Sequence, residues 1–177
     1  MSESAISLGD NSFSYSDGVK PNVKIVELPH MRLSNTNNRI RFRVDFGPEA
    51  GKQTSGIGIA LTQNTVNADN IFYDRAEPGQ NGWTLVVRRS GTVQLYRYSN
   101  GAAAVLVATA TGAEFAPAGK AGFAEVEIVI TSNGCSIRSI TNGGDSGYVV
   151  SANNFTNMRF WVRFADLSGE ISNIRAL

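Results

Sequence analysis

The sequence predicts an all-β protein, an antiparallel two-sheet sandwich of about 12 to 13 strands. Apolar and polar residues alternate with a period of two in short runs, as they do in strands that bury one face. Clusters of Gly, Asn, Asp, Ser and Pro separate these runs at the spacing of a sandwich or barrel, and helical periodicity is nearly absent. Together, these patterns favour strands joined by tight turns.

The predicted strands follow one another along the whole chain. They cover residues 12–16, 23–28, 39–46, 56–63, 71–74, 83–89, 92–98, 104–110, 124–131, 135–141, 148–150, 158–165 and 171–175. At 177 residues, the chain is expected to form a single β-sandwich domain over 1–177, with enough interior for a core. Only the segment 111–122 allows a short turn of helix.

The strongest strand signal is a hairpin over residues 82–100 that turns at Ser90-Gly91. The residues expected to face the core are Trp83, Leu85, Val87, Val93 and Leu95. The residues expected on the opposite face are Thr84, Val86, Arg88, Gln94, Tyr96 and Tyr98. The hairpin therefore combines an apolar face with a face of mostly polar and aromatic side chains.

Turn residues support the same reading of the chain. Asn133-Gly134 predicts a two-residue type I′ hairpin, because Asn and Gly tolerate positive φ. Ser90-Gly91 and Asn100-Gly101 also provide positions for positive φ. These pairings between neighbouring strands are local.

Charge and cysteine content limit the classes of partner. Sixteen basic and fifteen acidic residues give a net charge of +1, which argues against nucleic acid or an anionic membrane as a partner. The lone Cys135 cannot form an intrachain disulfide, and the only histidine, His30, is distant in sequence, so a buried thiol is expected rather than a nucleophile.

The start of the chain has no basic segment leading into an apolar run, and no window approaches about 18 uninterrupted apolar residues. We therefore expect synthesis in the cytoplasm without a signal peptide and without a membrane span.

The segment 158–164 carries the best binding signal. Met158, Phe160, Val162 and Phe164 alternate with three outward residues, Arg159, Trp161 and Arg163. An indole stacks on the apolar face of a pyranose while guanidinium groups bond hydroxyls or carboxylates. Arg88, Tyr96 and Tyr98 of the hairpin are expected to extend this surface. Alternatively, a second layer, a loop or a subunit covers Trp161.

A second arginine stripe lies on residues 39–43. Arg39, Arg41 and Arg43 alternate with the apolar Ile40, Phe42 and Val44. Glu125 and Glu127 share one face of another strand, and we expect them to neutralise such a stripe across the sheet. If unpaired in a groove, carboxylates at this spacing, roughly 6 to 7 Å, could instead act as acid and base of a glycosidase.

Two weaker signals remain open. Gly56, Gly58 and Ala60 leave one face of a strand almost bare, which suits either a ligand or sharply bent neighbouring strands. The residues whose oxygens could bind Ca²⁺ are Asn67, Asp69, Asn70, Asp74 and Asp145. Because Asn and Asp are ordinary turn residues, this Ca²⁺ signal is weak, and neither a cofactor nor a metal site is expected.

Five segments, taken in order, resemble the concanavalin A-like (laminin G-like) jelly rolls. They are residues 39–46, 55–61, the 82–100 hairpin, 124–137 and 169–175. The resemblance lies in strand order and turn placement. It implies a jelly-roll sandwich with a role in glycan binding, in bacteriophage tails and capsids, or in a minority of glycoside hydrolases and polysaccharide lyases.

The resemblance also bears on catalysis. Retaining jelly-roll glucanases carry a Glu-x-Asp-x-x-Glu-like run, and the nearest segment here, 125–130, departs from that pattern and lacks the proton donor. We therefore expect a non-catalytic structural and binding module with no catalytic residues.

The most specific expectation is a bacteriophage virion component, for capsid decoration or in the tail. Its partners would be other virion proteins, copies of itself, or cell-surface glycans. Two alternatives stay open: a carbohydrate-active enzyme, either glycosidase or lyase, that uses Glu125 and Glu127, and a purely structural oligomerisation protein with Trp161 and Tyr96 at its subunit contacts.

Overall fold

The structure is a computed structural model. It describes residues 5–9, 12–16, 24–33, 38–48, 56–63, 81–99, 104–151, 158–164 and 169–177. Within these ranges every regular element is a β-strand. The strands are β1 (Ala5–Gly9), β2 (Ser12–Ser16), β3 (Lys24–Leu33), β4 (Asn38–Phe46), β5 (Gly56–Thr62), β6 (Asn81–Arg88), β7 (Thr92–Ser99), β8 (Val105–Thr111), β9 (Gly122–Ile130), β10 (Gly134–Ser139), β11 (Val149–Val150), β12 (Met158–Phe164) and β13 (Gly169–Ala176).

The strands form two antiparallel sheets. One has seven strands in the order β1-β2-β13-β4-β9-β10-β11, and the other has six in the order β3-β12-β5-β6-β7-β8. Strands β5 to β8 are neighbours both in sequence and in space, because each follows the previous one through a reversal of direction. This meander forms most of the six-stranded sheet.

The core lies between the two sheets and consists of the inward positions that alternation predicts. Ile40, Phe42 and Val44 of β4 are at most 1% exposed, and so are Trp83 and Leu85 of β6. They belong to one apolar cluster to which both sheets contribute side chains. The predicted all-β, two-sheet sandwich is therefore confirmed, and so is the core face of the hairpin.

Most predicted strands match the observed ones to within a few residues. The short β1 was not predicted, and β3 extends beyond the predicted 23–28 to Leu33. The predicted strand over 71–74 and the Asn100-Gly101 turn lie outside the described residues. The segment 111–122 contains turns and bends between β8 and β9, with no helical turn.

The Ser90-Gly91 turn behaves as predicted, and the Asn133-Gly134 turn does not. Gly91 has a φ of 89°. At the other turn, the Thr131 amide donates to the Gly134 carbonyl at 2.8 Å, so the chain reverses over residues 132–133, neither of which has positive φ. The type I′ prediction was wrong, because the Thr131 hydroxyl accepts the Gly134 amide at 3.1 Å and holds a different turn.

Strand β13 contains a bulge that simple alternation does not predict. Ile171 and Ile174 both face the core although they are three residues apart. The register with β4 shifts between Ser172 and Arg175, and Asn173 has a φ of 53°, the only positive φ of a non-glycine residue in the described ranges. The extra residue turns Arg175 to the outer face of the seven-stranded sheet.

Candidate functional site

The outer face of the six-stranded sheet holds several of the predicted binding residues. In register across β12, β5, β6 and β7 lie Trp161, Ala60, Thr84 and Tyr96. Trp161 and Tyr96 are therefore on the same face, three strand spacings or roughly 14 Å apart. The two predicted aromatic positions are brought to one surface.

Trp161 is a packing residue of that face. It is 8% exposed and forms an apolar cluster with Ala60 and Val86, against which Tyr96 packs. Its indole Nε1 donates to the Thr62 hydroxyl at 2.8 Å. Trp161 is therefore covered, as one of the two interpretations of the sequence expected. Its ring is not open to a stacking sugar in this structure.

The remaining predicted binding residues separate into different environments. Arg159 donates through Nη1 to both carboxylate oxygens of Glu27, at 3.1 and 3.3 Å. Tyr98 is 4% exposed. The side chain of Arg163 lies outside what the structure describes, although its backbone pairs with β3 and β5. Arg88 and Tyr96 are both half-buried and lie on the same face of the hairpin.

Arg88 and Tyr96 both contact Gln94, which strand alternation also places on this face. The Oε1 atom of Gln94 accepts from Arg88 Nε at 2.9 Å and from the Tyr96 hydroxyl at 3.0 Å. All three side chains are half-buried. We call this set the Arg88–Gln94–Tyr96 cluster. A neutral amide gives little signal in sequence, and its position between two predicted residues was the available indication.

Strand β8 borders the cluster on the side away from Trp161. Leu106 pairs with Tyr96 and Thr109 pairs with Gln94. Leu106 is 47% exposed, and Thr109 is also exposed. By contrast, Thr84 and Val86 on β6 are at most 1% exposed. The accessible part of this outer face therefore runs from the cluster to β8.

The outer face of the seven-stranded sheet is organised by ion pairs. Arg39 Nη2 lies 2.8 Å from Glu127, and Arg41 Nη2 lies 3.0 Å from Glu125. The hydrogen bond and charge of Glu127 raise the pKa of Arg39 above its ordinary value. The predicted neutralisation of the arginine stripe by these two carboxylates is confirmed.

The third arginine of this stripe pairs within its own strand. Arg43 makes two hydrogen bonds to Asp45, from Nε at 2.8 Å and from Nη2 at 2.6 Å. The hydrogen bond to Asp45 raises the pKa of Arg43, and its guanidinium lies 4.0 Å from the centre of the Phe123 ring. Each arginine of the stripe thus has its own carboxylate.

Comparison with solved structures identifies the fold. The carbohydrate recognition domain of Emp46p in its metal-free form superposes with a TM-score of 0.63 at 12% identity, covering 98% of this chain and 85% of that one. A Bacillus subtilis protein of unknown function with a galectin-like fold gives 0.58 at 11%, covering 98% and 85%. The Bacillus subtilis carbohydrate-binding module CBM66 gives 0.53 at 11%, covering 98% and 91%. The chain has a concanavalin A-like jelly-roll fold.

At this level of identity, the likeness establishes the fold of the jelly roll alone. No protein-family model matches the chain. No curated protein matches its sequence either.

The nearly bare face of β5 in this jelly roll reflects close strand approach. Gly56 and Ala60 are buried. A Cβ at Gly56 would lie 2.7 Å from the Val87 carbonyl oxygen and 2.7 Å from a Val86 methyl group. Since a side chain at this position would clash with the backbone of β6, the close approach of β6 accounts for the glycine at position 56.

The weak calcium signal gains no support in the described part of the jelly roll. Asp145 accepts the Gly147 amide at 2.7 Å, an ordinary turn contact. Asn67, Asp69, Asn70 and Asp74 lie outside the described residues. Among the residues that are described, no three His, Cys, Asp or Glu side chains converge to hold a metal, and no helix is long and apolar enough to span a membrane.

Two buried polar side chains have structural roles. Cys135 is fully buried, and burial raises the pKa of its thiol to about 11, so the thiolate nucleophile is scarce at neutral pH. Arg89, also fully buried, donates to the backbone carbonyls of Gly47, Pro117 and Lys120. Alternation that places Arg88 outward places Arg89 inward, so the signal for a buried arginine was present in the sequence.

Proposed function

We propose that this jelly roll is a non-catalytic carbohydrate-binding module whose site is the accessible outer face of β6 to β8. The observation that carries the proposal is the Arg88–Gln94–Tyr96 cluster, held in place by two hydrogen bonds to one oxygen. Support also comes from the similar folds, since two of those proteins are named for carbohydrate recognition or binding.

The cluster suits a sugar because hydroxyl groups require oriented donors and acceptors beside an apolar surface. A guanidinium, an amide and a phenol supply the polar groups. In the described part of the chain, the side-chain nitrogen of Gln94 has no protein partner, so it is available as a donor. Leu106, 47% exposed next to Tyr96, supplies apolar surface for the C–H face of a ring.

The same face explains a supporting role for Trp161. Its cluster with Ala60 and Val86 packs against Tyr96 from the side opposite to Leu106. A packed aromatic base restricts the rotamers of Tyr96, and a preorganised site loses less entropy on binding. Because Trp161 is covered within its own chain, the alternative in which it anchors a subunit contact has less support.

A non-catalytic role is supported by the state of the two candidate carboxylates. Glu125 and Glu127 each form an ion pair with an arginine, and Glu127 is 8% exposed. General acid catalysis needs a carboxyl group that can reach a glycosidic oxygen. The proposed sugar site lies on the opposite sheet, so the two glutamates are not positioned to act on its ligand.

The proposal is tested by screening the protein on an array of neutral and acidic glycans, followed by calorimetric titration of the best ligand. Arg88→Ala should weaken binding by at least about tenfold while leaving the thermal unfolding midpoint nearly unchanged, since a hydrogen bond from a charged group contributes about 1.5 kcal/mol or more. The matched control is Arg138→Ala, an exposed arginine on the other sheet. No glycan bound, or equal affinity in Arg88→Ala and the wild type, would contradict the proposal.

A finer proposal places this module in a bacteriophage virion, as a capsid-decoration or tail component that binds other virion proteins or copies of itself. Its support is the sequence resemblance, together with a buried thiol and no need for an oxidising compartment. Val105 and Leu106, about half exposed at the β8 edge, also suit a protein contact. Mass spectrometry of purified virions should detect the chain in stoichiometric amounts; its absence would remove the virion assignment and leave the sugar site standing.

A further inference from the structure

A cleft of about 210 Å³ opens on the outer face of the seven-stranded sheet, opposite to the proposed sugar site. It lies where β4 is flanked by β9 and β13. The lining residues are Arg41, Phe42, Arg43, Glu125, Asn173 and Arg175. Three guanidinium groups and one carboxylate therefore surround the same small space.

The charges around the cleft are not balanced evenly. Arg43 is paired with Asp45 through two hydrogen bonds, and Arg41 with Glu125 through one. Arg175 is exposed, and in the part of the chain that the structure describes no carboxylate lies within ion-pair distance of it. Arg175 thus carries the uncompensated positive charge of the cleft.

Arg175 also lies directly opposite Arg41 in the pairing of β13 with β4. Like charges in this position repel, since directly opposed side chains have Cβ atoms about 5 Å apart. Arg41 uses one of its five N–H donors on Glu125, so it keeps donors for a second acceptor. An anion between the two guanidinium groups would convert their repulsion into two attractions.

The bulge in β13 creates this juxtaposition. Regular alternation from Ile171 would turn Arg175 towards the core, and the extra residue turns it outward while burying Ile174. The bulge holds Asn173 in the left-handed region, at a φ of 53°, and Asn173 is one of the residues that line the cleft. Backbone conformations of this kind are concentrated at ligand sites, and Asn tolerates them better than most residues.

We propose that the cleft binds an oxyanion, a carboxylate or sulfate group, between Arg175 and Arg41, with Asn173 as a further donor. Planar guanidinium groups bind such groups through paired hydrogen bonds. A volume of about 210 Å³ is smaller than a usual pocket for a larger organic ligand, so it suits a single charged group or one acidic sugar residue. This site is independent of the sugar site on the other sheet.

The test follows guanidinium NMR signals and thermal unfolding during titration of the full chain. Sodium sulfate and sodium glucuronate are compared with sodium chloride at equal ionic strength, and glucose serves as the uncharged analogue of glucuronate. We expect saturable shifts of the Arg41 and Arg175 side-chain signals with sulfate or glucuronate, and none with chloride or glucose. A preference for glucuronate over sulfate would assign the natural source as an acidic sugar, and the reverse would assign it as a sulfate group.

Three variants make the outcome specific to this cleft. Arg175→Gln should weaken the response at least tenfold, equivalent to about 1.4 kcal/mol. Asn173→Gly keeps the positive φ but removes the amide, so it should weaken binding less while leaving the fold intact. Arg138→Gln, an exposed arginine on the same sheet that does not line the cleft, should respond like the wild type.

Two outcomes would overturn the proposal: no saturable response in the wild type, or an equal response in wild type and Arg175→Gln, which would indicate general screening by salt. Arg88→Ala distinguishes this site from the proposed sugar site. It should leave the oxyanion response unchanged, and a response lost in Arg88→Ala but kept in Arg175→Gln would place the anion on the other sheet.

Discussion

The outer faces of the two sheets follow the same alternation, yet they differ in what stabilises them. On the six-stranded sheet, Trp161 and Val86 are outward by register but at most 8% exposed. On the seven-stranded sheet, the outward Arg39 side chain is 53% exposed and held by one ion pair. The outer face of the six-stranded sheet thus contains a second small apolar core, whereas the outer face of the seven-stranded sheet is covered by ion-paired side chains.

This difference shows that a residue pointing away from the main core is not necessarily available to a ligand. Aromatic side chains on a sheet bury most of their area when small neighbours such as Ala60 leave room for them. The Arg41–Glu125 and Arg43–Asp45 pairs on the other face stay partly exposed, and charges in such positions gain little from pairing. Substitutions on the six-stranded outer face should therefore affect stability far more than those on the seven-stranded one.

The largest expected effect is that of Trp161→Ala, which should lower the free energy of unfolding by about 3 kcal/mol. The substitution removes a buried indole and leaves Ala60 and Val86 beside a cavity. Urea unfolding followed by circular dichroism measures the change, and Trp161→Phe is the control that keeps most of the packing and loses the hydrogen bond to Thr62. A change below about 1 kcal/mol for Trp161→Ala would mean that this face is not a second core.

The next effect in size is expected for Gly56→Ala, at about 2 kcal/mol. A Cβ there would approach the Val87 backbone oxygen to 2.7 Å, and backbone cannot move as a flexible side chain can. The half-buried Ser172→Ala on the other sheet is a control for a small change on an outward strand position. If Gly56→Ala folds with unchanged stability, β5 and β6 have room between them, and the bare face would again suit a ligand.

The fold was largely predictable because each strand repeats the same signal over many residues. Phe42, Leu85 and Val126 occupy inward positions that alternation alone specifies, and each is at most 1% exposed. The pairing of Glu127 and Glu125 with the arginine stripe was also predictable, since opposite charges on the same face of neighbouring strands attract. Such features depend on periodicity and charge, which a sequence displays directly.

Features that depend on one added residue, or on packing between strands that are distant in sequence, were not predictable in the same way. The bulge at Asn173 reverses the outward positions that follow it, so alternation places Arg175 on the wrong face. The burial of Trp161 depends on strands that are distant in sequence. For the same reason, only two of the six predicted binding residues, Arg88 and Tyr96, belong to the candidate sugar site. Its third member, Gln94, was not predicted to bind.

The smallest expected effect belongs to the Arg41–Glu125 pair. A double-mutant cycle with Arg41→Ala, Glu125→Ala and the double variant should give a coupling of about 0.5 kcal/mol, as for other partly exposed pairs. The coupling should fall in about 1 M salt, where the screening length is roughly 3 Å. A coupling that is large and insensitive to salt would mean that this pair is effectively buried, as Trp161 is on the other sheet, and the contrast between the two outer faces would not hold.

The two single variants of this pair should not be equivalent. Glu125→Ala removes the carboxylate that Arg41 pairs with and leaves Arg41 facing Arg175, while Glu127, opposite Arg41 on β9, stays paired with Arg39. Arg41→Ala removes one of the two opposed guanidinium groups together with the ion pair. Glu125→Ala should therefore destabilise the protein more than Arg41→Ala does, by a few tenths of a kcal/mol. Added sulfate should remove this difference if an oxyanion bridges the two arginines. Equal effects of the two variants would show that Arg41 and Arg175 do not repel each other, and the charge argument for the cleft would then fail while the packing of the opposite face stayed as described.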